Sequence, residues 1–242
     1  MKIAKIILTI ACVAANVSFL YFRWEFSFLS VILAVAFFCV SSTFQGAMHE
    51  AGHFFGGRMS GYKLVFLRIG PVVLKGSREG KMSLSIRKRS AGQCVMLPEI
   101  KDRIKYKAYN VGGIVSNIII TLGSAALLFI DSRIAELIFI ELFFAGLFKI
   151  IGNVIPQIRD YYPTDGYILK LLRKRPLVQQ DYAKYLALYA ALYWEEEVNV
   201  REYTYDRKEY ESEDELLYYN GIQDLLSDLT DEKNEELSEV EE

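Results

Sequence analysis

Four long runs almost free of charge govern what this 242-residue chain can fold into. Residues 6–22 carry no charge between Lys5 and Arg23, and residues 26–48 and 108–130 each run 23 residues without one. Residues 134–158 are apolar too, but they hold Glu136, Glu141 and Lys149. About 20 apolar residues suffice for a helix to cross a bilayer. In lipid every backbone polar group must be bonded within the span, which makes such runs helical. The chain is therefore expected to be a mainly α membrane protein with about four transmembrane helices. The first run is read as an uncleaved anchor, and a signal peptide with Lys2 and Lys5 as its basic end is the alternative.

Charge then orients the spans. Residues 57–109 hold thirteen Lys/Arg and three Asp/Glu, whereas residues 195–242 hold four and nineteen. Basic residues collect on the cytoplasmic side of a span. Lys2 and Lys5, the 57–109 segment and Lys170, Arg173, Lys174 and Arg175 then share that side. The short "RWEF" and "DSRIAE" connections face out. Both termini are expected in the cytoplasm, and the multi-pass chain in a cell membrane, the bacterial cytoplasmic membrane being the setting anticipated.

Between the second and third runs, residues 62–97 alternate and are rich in β-branched residues, with a turn at "SREG". This predicts a β-hairpin or small sheet at the membrane surface. Residues 177–194 read as an amphipathic helix and residues 213–229 as a second, broken near Gly221. From residue 230 the composition is acidic and nearly free of aromatics, which predicts a disordered tail. The expected organisation is an anchor (1–25), a core (26–176, with the β region 62–97), a small helical cytoplasmic region (177–229) and the acidic tail (230–242). Cys12, Cys39 and Cys94 form no C-x-x-C pair, which excludes a disulfide framework and a thiolate zinc knuckle.

Both histidines of the chain lie in one stretch, "MHEAGHFF" (48–55), at the end of the second run. On a helix, residues four apart share a face, so His49 and His53 can aim their imidazoles at one metal ion. Glu50 stands beside them, placed to take a proton from a water at the metal. Two imidazoles and a carboxylate suit zinc with a fourth position left open. Ionisable groups facing lipid would cost about 2.5–3.5 kcal/mol each, and gathering them around a metal offsets that.

A third ligand has to be Asp, Glu or Cys on the same membrane face. The fourth run returns to that face near Pro156, and "YYPTDGYILKLL" places Asp165 there. Thr164-Asp165-Gly166 also reads as a helix start, which would give Asp165 the job of an N-cap instead. Glu141 and Lys149, eight residues apart, lie on roughly one face and read as partners inside the bundle or as a relay. Asn117, inside the third run, could donate to a substrate carbonyl or tie helices together.

These residues resemble a family. "HEAGHFFGG" ending a membrane helix, with "NVIPQIRDYYPTDGYIL" after a later one, looks like the site-2 protease family of intramembrane zinc metalloproteases. The resemblance implies one zinc ion per chain on His49, His53 and Asp165, with Glu50 as catalytic base. Asn153 and Pro156 match the start of the second motif, and Asn153 joins the candidate substrate-binding residues. "GGIVSN" (112–117) resembles the family's G-P-x-x-N helix, which implies that Asn117 assists substrate or transition-state binding. Segment "LRIGPVVLKG…SAGQCVML" is similar to the family's membrane-associated β region. Ile114 stands where the family has proline, eight residues separate Pro156 from Asp165, and no PDZ-like or CBS-like domain is evident. The function expected is cleavage of membrane-anchored or signal-peptide-like substrates near the cytoplasmic face. A regulator at the C-terminal helices and the lipid bilayer are the other partners, with no nucleic acid. The alternative is a non-catalytic zinc-binding scaffold that recruits partners through its acidic C-terminal region.

Overall fold

A computed structural model describes residues 2–23, 28–87, 92–99, 104–159, 162–194, 198–204 and 210–240. Four long helices come from the four apolar runs: α1 (Lys2–Arg23), α2 (Phe28–Met59), α3 (Tyr106–Leu127) and α4 (Arg133–Val154). Of these, α2 and α3 are long and apolar enough to cross a membrane, and α1 contributes the shorter apolar stretch Ile6–Phe22.

Helix α2 does not stop where its uncharged run stops. It continues through the histidine motif to Met59 and ends at Gly61, whose φ of +83° a side chain would resist. The motif is therefore helical, as its spacing requires. The α2–α3 crossing explains the glycines around it. A Cβ on Gly52 would lie 2.3 Å from the Gly112 carbonyl oxygen, and one on Gly56 would lie 2.1 Å from that of Ala108. Small residues at these positions let the two helix backbones meet closely. Ser116 Oγ adds a hydrogen bond to the Met48 carbonyl at 2.7 Å.

The predicted β region is a four-stranded antiparallel sheet of β1 (Lys63–Ile69), β2 (Val72–Gly76), β3 (Met82–Ile86) and β4 (Gln93–Leu97), in the order β3-β2-β1-β4. The "SREG" turn closes β2 onto β3, with the Gly80 N–H donating to the Ser77 carbonyl. A register shift in the β1–β4 pairing between Leu64 and Phe66 buries Leu64, Val65 and Phe66 in succession. Helix α2 packs against β1 and β4, which brings the sheet up to the motif.

After α4 the chain makes a two-residue strand pair, β5 (Ile158–Arg159) with β6 (Tyr162–Pro163). It then enters α5 (Asp165–Leu172), α6 (Pro176–Tyr193), the short α7 (Val200–Tyr203), a 3₁₀ turn (Glu213–Leu216) and α8 (Leu217–Val240). This helical region shares a core with the sheet. Trp194 Nε1 donates to the Gly76 carbonyl at 2.8 Å, and the Phe66 and Tyr193 rings stack at 4.7 Å. Buried Glu215 sits 3.5 Å from Lys174 and 3.7 Å from Arg175.

One expectation for this region is corrected. Gly221 does not break α8: its bare Cα lets the Tyr185 ring approach to 3.0 Å of where a Cβ would be, and the helix runs on. Helix α8 extends to Val240, and residues 222–240 lack Gly and Pro and are rich in Glu, Leu and other good helix formers. Residues 241–242 lie outside the described residues.

Candidate metal centre

His49 and His53 stand one turn apart on α2, and Asp165, the first residue of α5, meets them from the far end of the chain. The two Nε2 atoms are 3.1 Å apart. Asp165 Oδ2 lies 3.2 Å from His49 Nε2, and Oδ1 lies 3.3 Å from His53 Nε2. All three side chains are buried, and together they could hold a metal ion.

The connection explains how a segment 112 residues beyond His53 reaches it. Between Pro156 and Asp165, Ile158–Arg159 and Tyr162–Pro163 pair as the antiparallel β5–β6 strands and so bring the chain back on itself. Thr164 closes that fold. Its Oγ1 donates to the Ile155 carbonyl at 3.0 Å and accepts from the Gln157 N–H at 3.2 Å. Thr164 is also the N-cap of α5, accepting from the Tyr167 N–H. The capping job considered for Asp165 thus belongs to Thr164, and the Asp165 carboxylate is free to face the imidazoles. Gly166 completes the arrangement, because a Cβ there would lie 2.0 Å from the Val154 carbonyl oxygen and push α5 off the end of α4.

The surroundings fit a cation. His53 Nδ1 is 2.7 Å from the Tyr109 carbonyl, which can only accept, so the ring proton sits on Nδ1 and Nε2 offers a lone pair. Asp165 Oδ2 is buried with no hydrogen-bond donor. Acceptors therefore crowd one point with too few donors between them, and such a cluster is costly unless a positive ion joins it.

Gly113 on α3 forms one wall. A Cβ there would come within 2.6 Å of both His49 Cε1 and His53 Nε2. Gly113→Ala is expected to push the imidazoles apart and weaken metal binding by at least about 10-fold, the scale on which disturbing the outer shell of a metal site acts. Titration of the purified variant with zinc checks this.

Glu50 lies beside the cluster without joining it. Its carboxylate is approached by the Cys94 backbone N–H of β4 and by Gly92, whose Cβ position is 3.4 Å from Glu50 Oε1. The sheet thus borders the site and helps place the carboxylate. Burial pushes the Cys94 thiol well above its usual pKa and the Glu50 charge adds to this, so it stays a neutral thiol rather than becoming a thiolate ligand.

Asn117 reaches the site from α3, its Oδ1 2.8 Å from His49 Nδ1. Asn153 does not: its side chain bonds back along α4 to the Lys149 carbonyl at 3.1 Å. Glu141 is buried far along α4, accepting from Asn16 Nδ2 of α1 at 3.0 Å, whereas Lys149 Nζ lies beside Gly46 of α2. Sequence reading missed two contributors. Tyr109 acts through its backbone carbonyl, which leaves no mark in the sequence. Gln45 does leave one, as a side-chain amide one turn before His49 in an uncharged run.

No family model matches the chain, and no curated protein and no solved structure matches it.

Proposed function

We propose that the chain is a zinc-dependent intramembrane endopeptidase of the site-2 protease type, acting on membrane-anchored or signal-peptide-like substrates. The observation that carries this reading is the convergence of His49, His53 and Asp165, from two distant segments, with Glu50 alongside. Zinc is favoured by the donor set, two imidazole nitrogens and one carboxylate. The two Nε2 atoms stand 3.1 Å apart, with one Asp165 oxygen 3.2 Å from His49 and the other 3.3 Å from His53.

A membrane setting for these helices agrees with the same reading. Large apolar side chains stand exposed along α1, α2 and α3, among them Ile10, Val17, Val35, Val40, Ile119 and Leu122. Patches of this kind are rare on soluble monomers. Helix α2 spans about 48 Å at 1.5 Å per residue, longer than the roughly 30 Å of hydrocarbon. With Phe28 at the outer boundary, His49 falls about 32 Å along the helix, at the inner boundary. Water can arrive there, and the basic 57–109 segment follows on the cytoplasmic side.

A bound zinc ion would polarise the scissile carbonyl and lower the pKa of a coordinated water to about 7. His49, His53 and Asp165 would hold that ion. Glu50 takes the proton of the attacking water and hands it to the leaving amine, which completes hydrolysis of the peptide bond. A substrate helix hides its carbonyls in its own hydrogen bonds, so it has to unwind before the cut. An extended segment can then pair with a free edge of the sheet, and β3 is the exposed edge strand.

Purified protein in detergent is expected to cleave a membrane-anchored test substrate, to lose the activity to a chelator and to regain it with one equivalent of zinc. Stoichiometric zinc without cleavage across a panel of anchored substrates would favour the scaffold reading instead.

A further inference from the structure

We propose that Gln45 and Asn117 are positioning residues that lock His49 in its metal-binding tautomer, so that Asn117 works behind the metal and not on a substrate carbonyl. The inference rests on His49 being a metal ligand, as above, but not on the protein being a protease.

The donors and acceptors follow from one backbone atom. The Leu142 carbonyl of α4 can only accept, and Gln45 Nε2 lies 3.2 Å from it. That fixes the orientation of the Gln45 amide and leaves its Oε1 facing Asn117. Asn117 Nδ2 is 2.7 Å from this Oε1 and 2.8 Å from the Gln45 backbone carbonyl. Two acceptors at one end of the amide require the NH₂ there, and they use both of its hydrogens. Asn117 Oδ1 therefore faces His49 Nδ1, at 2.8 Å, and only a protonated Nδ1 can bond to it. The His49 lone pair is left on Nε2, which points at His53 and Asp165.

Each step is sealed from solvent. Gln45 and Asn117 are both 0% exposed. A flip of the Gln45 amide would set its oxygen against the Leu142 carbonyl, and a flip of the Asn117 amide would set its oxygen against two Gln45 oxygens, so the hydrogen-bond pattern holds both amides in place. An asparagine with both hydrogens spent and no exposed surface has no donor left for a substrate. What it does offer is the outer-shell acceptor that fixes the tautomer and ring orientation of a metal-bound histidine. Helix α4 thereby acts on a ligand of α2 through α3.

Zinc affinity of the full-length protein in detergent, read by competition with a chromophoric chelator, tests the assignment, together with the visible spectrum of the cobalt-substituted form. Asn117→Leu is expected to weaken zinc about 10–100-fold and alter the cobalt bands. Asn117→Asp, which keeps an acceptor toward Nδ1 in either protonation state, should restore affinity to within a few-fold. Gln45→Met should weaken zinc about 10-fold, because the Asn117 amide is then free to turn. Unchanged zinc affinity in Asn117→Leu would overturn the proposal, and cleavage lost equally in Asn117→Leu and Asn117→Asp would then place the residue on the substrate. If Asn117→Leu does not fold, wild-type affinity in Gln45→Met overturns it. Because zinc is read directly, the ranking of variants decides this question even if no substrate is ever cleaved.

Discussion

Glu50→Gln is expected to abolish peptide hydrolysis while one zinc ion per chain remains bound. Glu50 sits next to His49 on α2, but its carboxylate stands apart from the atoms that converge on the metal. Glutamine keeps the shape of the side chain and its place between Gly92 and the Cys94 N–H. What it loses is the ability to take a proton. General-base catalysis by a positioned side chain contributes about 10²–10⁴-fold, and the drop in cleavage should fall in that range. Metal content and turnover measured on the same preparation separate this from unfolding. Undiminished cleavage would remove Glu50 from the mechanism.

Asp165→Ala is expected to have the opposite signature, losing zinc by at least about 100-fold, more than an outer-shell change does, while the fold stays intact. The reasoning turns on Thr164. Were Asp165 the N-cap of α5, its removal would loosen the helix and metal loss would be secondary. Thr164 holds that role and is bonded to the Ile155 carbonyl and the Gln157 N–H as well. Asp165→Ala therefore forfeits only the favourable interaction of a first-turn acid with the helix dipole, about 0.3–1 kcal/mol. Thr164→Ala should show the reverse balance. It costs about 1 kcal/mol for the lost cap, plus the closure of the β5–β6 pair, with the ligand set itself complete. Thermal unfolding of the metal-free proteins, beside zinc titration, distinguishes the two.

The site was more legible in the sequence than the scaffold that holds it. His49 and His53 announce themselves because helical spacing is a local property, and no other histidine competes with them. Asp165 could be placed by counting membrane crossings, yet its second reading as an N-cap stayed open until Thr164 was seen in that position. The long gap after Pro156 looked like a departure from the family pattern; a two-residue strand pair absorbs it, which no periodicity signals. The β region was readable from alternation, but the successive burial of Leu64, Val65 and Phe66 depends on a register shift against β4. Gly221 was misread because a glycine inside a helix is judged by propensity alone until a packed neighbour such as Tyr185 is known. Asn117 was visible as an unexplained polar residue in an apolar run, while its direction of hydrogen bonding depends on the Leu142 carbonyl in another helix.

The claim beneath all of this is that one divalent ion sits among His49, His53 and Asp165. X-ray absorption at the zinc edge of the purified full-length protein reads that shell directly. The expected spectrum shows nitrogen and oxygen neighbours only, at about 2.0–2.1 Å, with the outer-shell scattering of two imidazoles. A sulfur neighbour at about 2.3 Å, a single imidazole, or protein that takes up no zinc would contradict it.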